Sequence, residues 1–483
     1  MVFRKPNRTM TALVALAMLG ACGEGGSSGG AAAGGGGGST PTPTPTTTAG
    51  CSLRERQDWA AAQLREWYLF PDTLPATLDP TPYTTVDAYI DALTATARAQ
   101  HKDRYFTYLT SIAGEDAYYN SGSSAGFGVR LAYDTTSSRV FVAEAFEGAP
   151  ALTAGIDRGT EIVGIGTTTS NIQTVASIMA TSGAQGVSDA LGPSTAGTTR
   201  VLRVVTAGTT STVTVAKADY SLTPVSNRYG AKIITEGGIK YGYLNLRTFI
   251  TTADPALRDA FNQFRLAGVT NIVVDLRYNG GGLVSIADLM GDLMGAARSA
   301  TDVFENMTFR PEKAANNSTH RFTFQSQSIA PTRIAFIGSA GTASASELVI
   351  NGMVPYLHAS AALIGTNTYG KPVGQIAIDK TACDDRLRVI AFALENAAHQ
   401  GAYYDGLAPF VEASCQAGDD LVYPLGDPRE ASTRSALDFL EGKACTKIAA
   451  SSGIGTLSVK EPPRALLTPD RPNTAQRETP GLF

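Results

Sequence analysis

The sequence is poor in charge and in histidine, and it lacks long apolar runs. Charged residues make up 17% of the 483 residues, and the formal net charge is −4 with only four histidines. No segment carries the excess of Lys and Arg that nucleic-acid binding requires, so that class of protein is excluded. No apolar stretch reaches the ~20 residues that span a bilayer, which excludes a multi-pass membrane protein. The length predicts several domains with a sizeable core.

The N-terminus has the pattern of an export signal. Basic residues within positions 4–8 precede a short apolar run at 11–19, which is typical of a signal peptide. The run ends in Leu19-Gly20-Ala21-Cys22, which resembles the lipobox of bacterial lipoproteins; an ordinary export signal with a chance cysteine is the alternative. Because no Asp follows Cys22, the pattern favours an outer-membrane anchor in a Gram-negative bacterium. Residues 1–22 are therefore predicted to be a lipoprotein signal peptide with lipidation at Cys22.

Residues 23–50 consist almost entirely of Gly, Ala, Ser, Thr and Pro. Such a segment cannot bury enough apolar area to offset its ordering entropy, so we expect a disordered linker. The folded part would be held near a membrane by its lipid alone.

Four further cysteines follow the linker. An even number in an exported chain favours two disulfides, and three pairings are possible. Closeness in sequence favours a Cys383–Cys415 bond, which leaves Cys51 to pair with Cys445. A zinc site is the alternative, but no CxxC spacing or histidine cluster supports it.

The patterning predicts a multidomain α/β protein in three folded regions. Apolar residues at helical spacing over 51–115 indicate a small N-terminal helical domain. Short β runs with one helix follow over 116–222. Over 223–459, continuous β-branched strands alternate with helices, which indicates an α/β core with strands buried on both faces. Residues 460–483 are rich in Pro and polar residues and are expected to form a flexible tail.

The β region resembles a PDZ domain. The resemblance rests on Gly126-Phe127-Gly128-Val129, on Gly148-Ala149-Pro150-Ala151 and on the glycines of 154–159, although Thr160 replaces the usual Asp. In such a loop, free N–H groups hold a peptide carboxylate, and the peptide adds a strand to the sheet. We therefore expect Gly126, Phe127, Gly128 and Val129 to bind substrate. The apolar Gly481-Leu482-Phe483 sequence could itself occupy this groove.

Three segments contain residues that could take part in catalysis, and each follows a predicted strand of the α/β core. Sites in open α/β sheets form at the carboxyl ends of the strands, so we expect these segments to converge. They are residues 275–282, 342–347 and 368–371.

Ser344 lies at the start of a predicted helix. Its hydroxyl is suited to a nucleophile, and the N–H of Ala345 is suited to an oxyanion donor, because N–H groups at a helix start point outward. Ser344 and Glu347 also form the pattern of a capping box, which needs no catalysis. In the glycine loop, Gly281 and Gly282 are candidates for a second oxyanion donor, with a simple turn as the alternative.

Lys371 follows a strand in an apolar neighbourhood. A lysine acts as a general base only when neutral, and burial can lower its pKa by the ~2–3 units required. Gln375 could orient the amine of Lys371. The alternative is that Lys371 is an ordinary surface lysine in a loop. None of His101, His320, His358 and His399 lies near a serine motif, so a Ser-His-Asp triad is unsupported.

Together these segments resemble the carboxyl-terminal processing peptidases, or tail-specific proteases. The resemblance covers most of residues 51–445 and implies a crotonase- or ClpP-like α/β protease core. The family's Ser-Ala-Ser-Glu segment begins at Ser344, its lysine falls on Lys371 and its glutamine on Gln375. Thr366-Asn367 departs from the family's Glu-Pro, and the spacing from Ser344 to Lys371 is about two residues longer than usual.

The resemblance implies a serine endopeptidase that needs no cofactor or metal. Lys371 takes the proton of Ser344, Ser344 attacks a peptide carbonyl, and the N–H groups of Ala345 and a loop glycine stabilise the oxyanion. Substrates would be unfolded or C-terminally exposed proteins. Two alternatives remain: a non-catalytic PDZ scaffold on the same fold, and a crotonase-like acyl-CoA enzyme, which export argues against.

Overall fold

The computed structural model describes residues 2–3, 48–449 and 464–483. The predicted signal peptide, its Cys22 and most of the predicted linker lie outside the described residues. In the part that is described, the chain is a mixed α/β protein with four β-sheets, and the predicted α/β class is confirmed.

Eleven helices occur within the described ranges. They are α1 (Leu53–Trp67), α2 (Val86–Leu93), α3 (Ala95–Ala99), α4 (Ile112–Ser121), α5 (Pro150–Thr153), α6 (Val175–Leu191), α7 (Ala253–Leu266), α8 (Val284–Met294), α9 (Ala345–Leu357), α10 (Ala431–Leu440) and α11 (Thr474–Glu478). None of these helices is long and apolar enough to cross a membrane.

The same ranges contain twenty-one strands. They are β1 (Val2–Phe3), β2 (Tyr108–Ser111), β3 (Ser123–Gly126), β4 (Val129–Asp134), β5 (Val140–Ala145), β6 (Glu161–Gly166), β7 (Gln173–Thr174), β8 (Thr199–Thr206), β9 (Thr209–Ala216), β10 (Ala218–Ser221), β11 (Lys232–Glu236), β12 (Ile239–Asn245), β13 (Asn271–Asp275), β14 (Val303–Phe309), β15 (Ser318–Arg321), β16 (Arg333–Gly338), β17 (Ala361–Gly365), β18 (Val373–Lys380), β19 (Asp385–Glu395), β20 (Ala413–Gln416) and β21 (Arg464–Leu466).

The central sheet has the order β11-β12-β13-β16-β17-β20 and is parallel from β12 onward. Successive side chains of a strand point to opposite faces. On β13, Ile272 and Val274 therefore pack in one core with residues of α7, α8 and α9, whereas Val273 packs in another core with α10. The continuous apolar run of this strand arises because both of its faces are covered.

The β region predicted over 116–222 forms an antiparallel sheet of order β21-β4-β5-β6-β8-β9, with β7 beside β6. Its core combines residues of these strands with Val187 and Leu191 of α6. β3 and β10 pair with each other beside this sheet.

The N-terminal helices do not form a core of their own. Leu64 of α1 and Ile90 of α2 pack against Leu387 and Val389 of β19. β19 belongs to a sheet of order β1-β18-β19-β14-β15, in which β2 also pairs with β19. The helices thus cover a sheet that comes from the far end of the sequence.

All four predicted cysteines are in disulfides, but the favoured pairing is wrong. The bonds are Cys51–Cys383 and Cys415–Cys445, with Cα–Cα distances of 5.5 and 5.4 Å. Cys383 lies at the turn between β18 and β19, the hairpin on which α1 packs. Cys415 lies on β20 in the central sheet. Closeness in sequence gave no real ground for the favoured pair, because the observed Cys415–Cys445 bond spans 30 residues, fewer than separate Cys383 from Cys415. Between Cys383 and Cys415 the chain also passes from one sheet to the other.

The expected flexible tail is also corrected over 464–483. This segment contains β21 and α11, and most residues from Thr474 to Phe483 are buried. A capping box between Asn473 and Gln476 begins α11. The Pro-rich composition suggested disorder, but tertiary contacts with β4 and with the core supply the ordering that local composition lacks.

Candidate active site

The three loops expected to converge do meet at the carboxyl ends of β13, β16 and β17. The Ala343 N–H donates to the Asn279 carbonyl at 3.1 Å, and the Thr342 hydroxyl donates to the Leu276 carbonyl at 2.8 Å. The Tyr369 N–H in turn donates to the Thr342 carbonyl at 2.9 Å. The glycine loop, the serine turn and the lysine loop are therefore one hydrogen-bonded unit.

Ser344 is fully buried and holds an unusual backbone conformation, with φ 60° and ψ −116°. Positive φ is uncommon for a residue with a Cβ and costs roughly 1–3 kcal/mol, so the surrounding structure must impose it. Ser344 and Glu347 are arranged as a capping box. Yet, among the described residues, the Ser344 hydroxyl makes no hydrogen bond of ordinary geometry. The hydrogen bonds of the described structure thus leave this buried hydroxyl unused.

Glu347 links the serine turn to the lysine loop. Its Oε2 accepts the N–H of Ser344 at 2.9 Å and that of Lys371 at 2.7 Å. Its Oε1 accepts the Thr368 hydroxyl and the Gly370 N–H, both at 2.6 Å. Burial raises the pKa of the Glu347 carboxyl, and the four donors oppose that rise. One carboxylate oxygen of Glu347 thus binds the backbone N–H groups of both Ser344 and Lys371, which links the two residues.

Lys371 is buried, with 8% of its surface exposed. Its Nζ donates to Gln375 Oε1 at 2.9 Å and lies 5.1 Å from the centre of the Phe106 ring. Burial lowers the pKa of the Lys371 ammonium group from its ordinary 10.5, although the Glu478 charge partly opposes this. Gln375 is itself fixed, because its amide donates to the Phe106 carbonyl. Burial thus shifts Lys371 toward its neutral, proton-accepting form relative to a lysine in water.

The two expected oxyanion sources differ. Ala345 is the first residue of α9, where the N–H has no acceptor within the helix. Gly281 lies against the serine, since a Cβ there would be 2.8 Å from the Ser344 Cβ, but its N–H donates to Asn279 Oδ1 at 2.9 Å. Gly282 faces elsewhere: a Cβ would be 2.2 Å from the Phe249 carbonyl oxygen.

The residues expected to bind substrate peptide, Gly126 to Val129, run from the last residue of β3 to the first residue of β4. The N–H groups of Gly128 and Val129 donate to the main-chain oxygen of Phe483, at 2.9 and 3.1 Å. Gly126 approaches the same group, because a Cβ there would be 2.9 Å from the Phe483 carbonyl carbon. The Phe127 side chain is buried.

No histidine reaches the serine turn. Each of the four imidazole rings contacts a carboxylate elsewhere: His101 with Asp405, His320 with Asp292, His358 with Glu412 and His399 with Glu395. The described part of the chain also holds no group of His, Cys, Asp or Glu arranged to bind a metal ion.

Sequence reasoning missed two residues that shape the lysine loop. Arg104 Nη2 donates to the carbonyls of Tyr369, Gly370 and Tyr404, at 2.5, 2.7 and 2.8 Å. Phe106 places its ring beside Lys371 and its carbonyl on Gln375. Both come from the N-terminal region, more than 260 positions from the loop, and no local pattern marks them.

A cavity of about 660 Å³ opens beside these loops. Its lining includes Lys371, Ala343 and Gly280 of the three loops, together with Arg477, Glu478 and Pro480. The volume suits a short stretch of polypeptide.

Part of the chain is similar to a known family of peptidases, and its fold is similar to a solved structure. Residues 240–402 match the model of peptidase family S41. A solved structure of a provisionally assigned S41 protease from Bacteroides fragilis superimposes with a TM-score of 0.60, at 22% identity over 80% of this chain and 97% of that one. The fold is therefore the fold of an S41 protease.

The chain is also similar in sequence to C-terminal processing peptidases of other organisms. The chain is 24% identical over 334 residues to carboxyl-terminal-processing peptidase 3, chloroplastic, of Arabidopsis thaliana, covering 68% of this chain and 60% of the relative. It is 28% identical over 278 residues to the C-terminal processing peptidase, chloroplastic, of Tetradesmus obliquus, covering 54% of each chain. The chain thus spans somewhat over half the length of these relatives.

Proposed function

We propose that the protein is a serine endopeptidase with Ser344 as nucleophile and Lys371 as general base. The single observation that carries this is the arrangement of the two residues. A buried serine hydroxyl without a partner lies in one hydrogen-bonded unit with a buried lysine, and Glu347 accepts an N–H from both. A structural serine cap would have its hydroxyl bonded, and a surface lysine would have its amine in water.

The proposed reaction begins with neutral Lys371 removing the Ser344 proton as Oγ attacks a peptide carbonyl. The N–H of Ala345 points from the helix start toward the developing oxyanion, where a preorganised donor has most effect. Gly281 contributes its N–H once this bond turns away from Asn279. Lys371 then donates the proton to the leaving amine, and water hydrolyses the acyl-enzyme. Gln375 positions the amine, because its Oε1 accepts a hydrogen bond from Lys371 Nζ, and it takes no proton itself.

The substrates we propose are exported proteins with unfolded or accessible C-termini. The β region with Gly126–Val129 would act as a PDZ-like domain, because the edge of β4 and the N–H groups of Gly128 and Val129 already hold an extended segment of this chain and would suit a peptide strand in its place. Anchoring through lipidated Cys22 would place the enzyme at the membrane surface. Labelling with a radioactive fatty acid tests the anchor, which Cys22→Ala should abolish and Cys445→Ala should not.

Substitution of the serines tests the peptidase proposal. The full chain is incubated with an unfolded protein, and fragments are followed by mass spectrometry. Ser344→Ala should lower cleavage at least ~1,000-fold, because the nucleophile is lost. Ser346→Ala is the matched control: its hydroxyl donates to the Asn279 carbonyl at 2.9 Å, so its loss costs about 1 kcal/mol of stability and leaves most activity.

If the parent chain cleaves nothing while peptides still bind, the protein is instead a non-catalytic scaffold. If Ser346→Ala abolishes cleavage and Ser344→Ala does not, the nucleophile is misassigned.

A further inference from the structure

We propose that residues 464–483 are an intramolecular ligand that fills both the peptide groove and the approach to Ser344, so that an incoming polypeptide must displace them. The effect of this segment on cleavage rests on the proposed peptidase function. Its binding to the groove rests only on the contacts described below.

The segment pairs with the whole free edge of β4. β21 is antiparallel to the second half of β4, with Leu466 opposite Ala132. After α11 the chain returns to the first half: the Leu131 N–H donates to the Gly481 carbonyl at 2.8 Å, and the Phe483 N–H donates to the Val129 carbonyl at 2.8 Å. No room is left on this edge for a second peptide strand.

Two apolar side chains anchor the end of the segment. Phe483 is 3% exposed and belongs to the core that contains Phe127 and Val129. Leu482 is equally buried, in a core with Phe146 and other aromatic residues. Burial of these two apolar side chains stabilises the segment in the groove. The groove thus selects an extended peptide with two consecutive large apolar residues after a glycine.

The same segment reaches the glycine loop of the active site. The Gly280 N–H donates to the Glu478 carbonyl at 2.9 Å, and a Cβ on Gly280 would be only 2.3 Å from the Arg477 carbonyl oxygen. Arg477 and Glu478 also line the cavity that Lys371 lines. Because Gly281 is the residue that lies against Ser344, a substrate cannot approach along this loop while the segment is in place.

The contacts that hold α11 are mostly polar and can be exchanged for water. The Tyr119 hydroxyl donates to Glu478 Oε1 at 2.9 Å, and the Arg477 guanidinium lies 3.8 Å from the centre of the Tyr108 ring. The strand hydrogen bonds are of the same kind that a substrate peptide would make, so exchange preserves their number. The charge of Glu478 also favours the ammonium form of Lys371, which cannot act as a base.

Binding of a synthetic peptide tests the proposal without any need for catalysis. The probe is a fluorescein-labelled peptide with the sequence of residues 474–483, and its anisotropy is measured with the full chain in a Ser344→Ala background. Phe483→Asp places a charge in the apolar groove and should release the segment. Since an attached competitor is removed, we expect the probe to bind at least about tenfold more tightly than to the parent.

Thr468→Asp is the matched control, because it adds the same charge to an exposed position of the same segment. It should bind the probe as the parent does. Phe483→Ala removes the anchor without burying a charge, and should give a smaller gain in affinity if the aspartate variant fails to fold. Equal affinity of parent and Phe483 variants, or no binding by any of them, would overturn the proposal.

The consequence for activity is measured separately in the chain with Ser344. Phe483→Asp should raise kcat/KM for an unfolded substrate several-fold. Unchanged kcat/KM in a chain that cleaves would overturn the regulatory role and leave the peptidase proposal intact. Because the binding arm is read with Ser344 removed, failure of the peptidase proposal leaves the binding result interpretable.

Discussion

At the scale of single residues, the proposed chemistry depends on two residues whose conformation or burial is energetically unfavourable. Ser344 has a positive φ, and Lys371 has its amine out of water. Strain and desolvation of this kind each cost on the order of 1–3 kcal/mol and persist only where neighbouring structure fixes them. Here α9 fixes the serine, Gln375 fixes the amine, and Glu347 joins the two loops. The cost is concentrated where a reactive pair is needed.

The lowered pKa of Lys371 predicts how activity depends on pH. Activity requires the neutral amine, so kcat/KM should rise with pH through the folded pKa of Lys371, which lies below 10.5. The unfolded chain binds the proton more tightly between that pKa and 10.5, so the free energy of unfolding should also rise with pH across this window. The first quantity is measured with a fluorogenic peptide, and the second by urea unfolding.

Lys371→Arg provides the control for this dependence. Arginine keeps the charge but stays protonated at every accessible pH, so the variant should be inactive throughout. A Lys371→Arg chain with the pH profile of the parent would show that another group titrates.

At the scale of elements, the parallel sheet brings the loops of the site together, and an arginine from the N-terminal region holds one of them in place. β13, β16 and β17 deliver the three loops to one edge, as is general for α/β sheets. Arg104, which precedes β2, then binds three carbonyls around the lysine loop. The guanidinium also lies 4.2 Å from the centre of the Tyr369 ring. The N-terminal region is therefore part of the site.

Arg104→Ala should disturb the position of Lys371 without removing any reacting group. We expect kcat to fall about tenfold to a hundredfold with little change in KM, since displacement by about 1 Å costs rates of that size. Steady-state kinetics measures both constants. The control is Arg54→Ala, whose exposed pair with Asp58 contributes little. Equal losses in the two variants, or a change in KM alone, would contradict a positioning role.

The limits of prediction also appear at this scale. The strands and helices of the core follow from periodicity: continuous apolar strands are predicted to alternate with helices over 223–459, and β16 (Arg333–Gly338) is one of them. Ser344, Lys371 and Gln375 stand out because local motifs mark them. Arg104 and Phe106 carry no such mark, because their roles arise from contacts across the fold. The pairing of Cys51 with Cys383 is unpredictable for the same reason.

At the scale of the whole molecule, the N-terminal region is tied to the far end of the chain. The Cys51–Cys383 bond closes a loop of 332 residues, and Arg56 pairs with Asp385 beside it, with Nη2 to Oδ1 at 2.6 Å. The Cys415–Cys445 bond closes only 30 residues. Longer closed loops restrict the unfolded chain more.

Removal of the long-range disulfide should therefore destabilise the protein more than removal of the short one. A Cys51→Ser/Cys383→Ser chain should lose about 2–5 kcal/mol of unfolding free energy, measured by guanidinium denaturation. The Cys415→Ser/Cys445→Ser chain is the matched comparison, with a smaller loss. Peptide mapping without reduction reads the pairing directly, and a peptide that joins Cys383 to Cys415 would contradict the fold described for both cysteines.

The central claim is that Ser344 is a nucleophile activated by Lys371, and covalent labelling of that nucleophile tests it most directly. The full chain is treated with a fluorophosphonate that reacts with activated serines, and the modified residue is located by mass spectrometry. The account predicts one label, on Ser344, which is lost in Lys371→Ala and kept in Ser346→Ala. A label on any other residue, or undiminished labelling of Ser344 in Lys371→Ala, would contradict it.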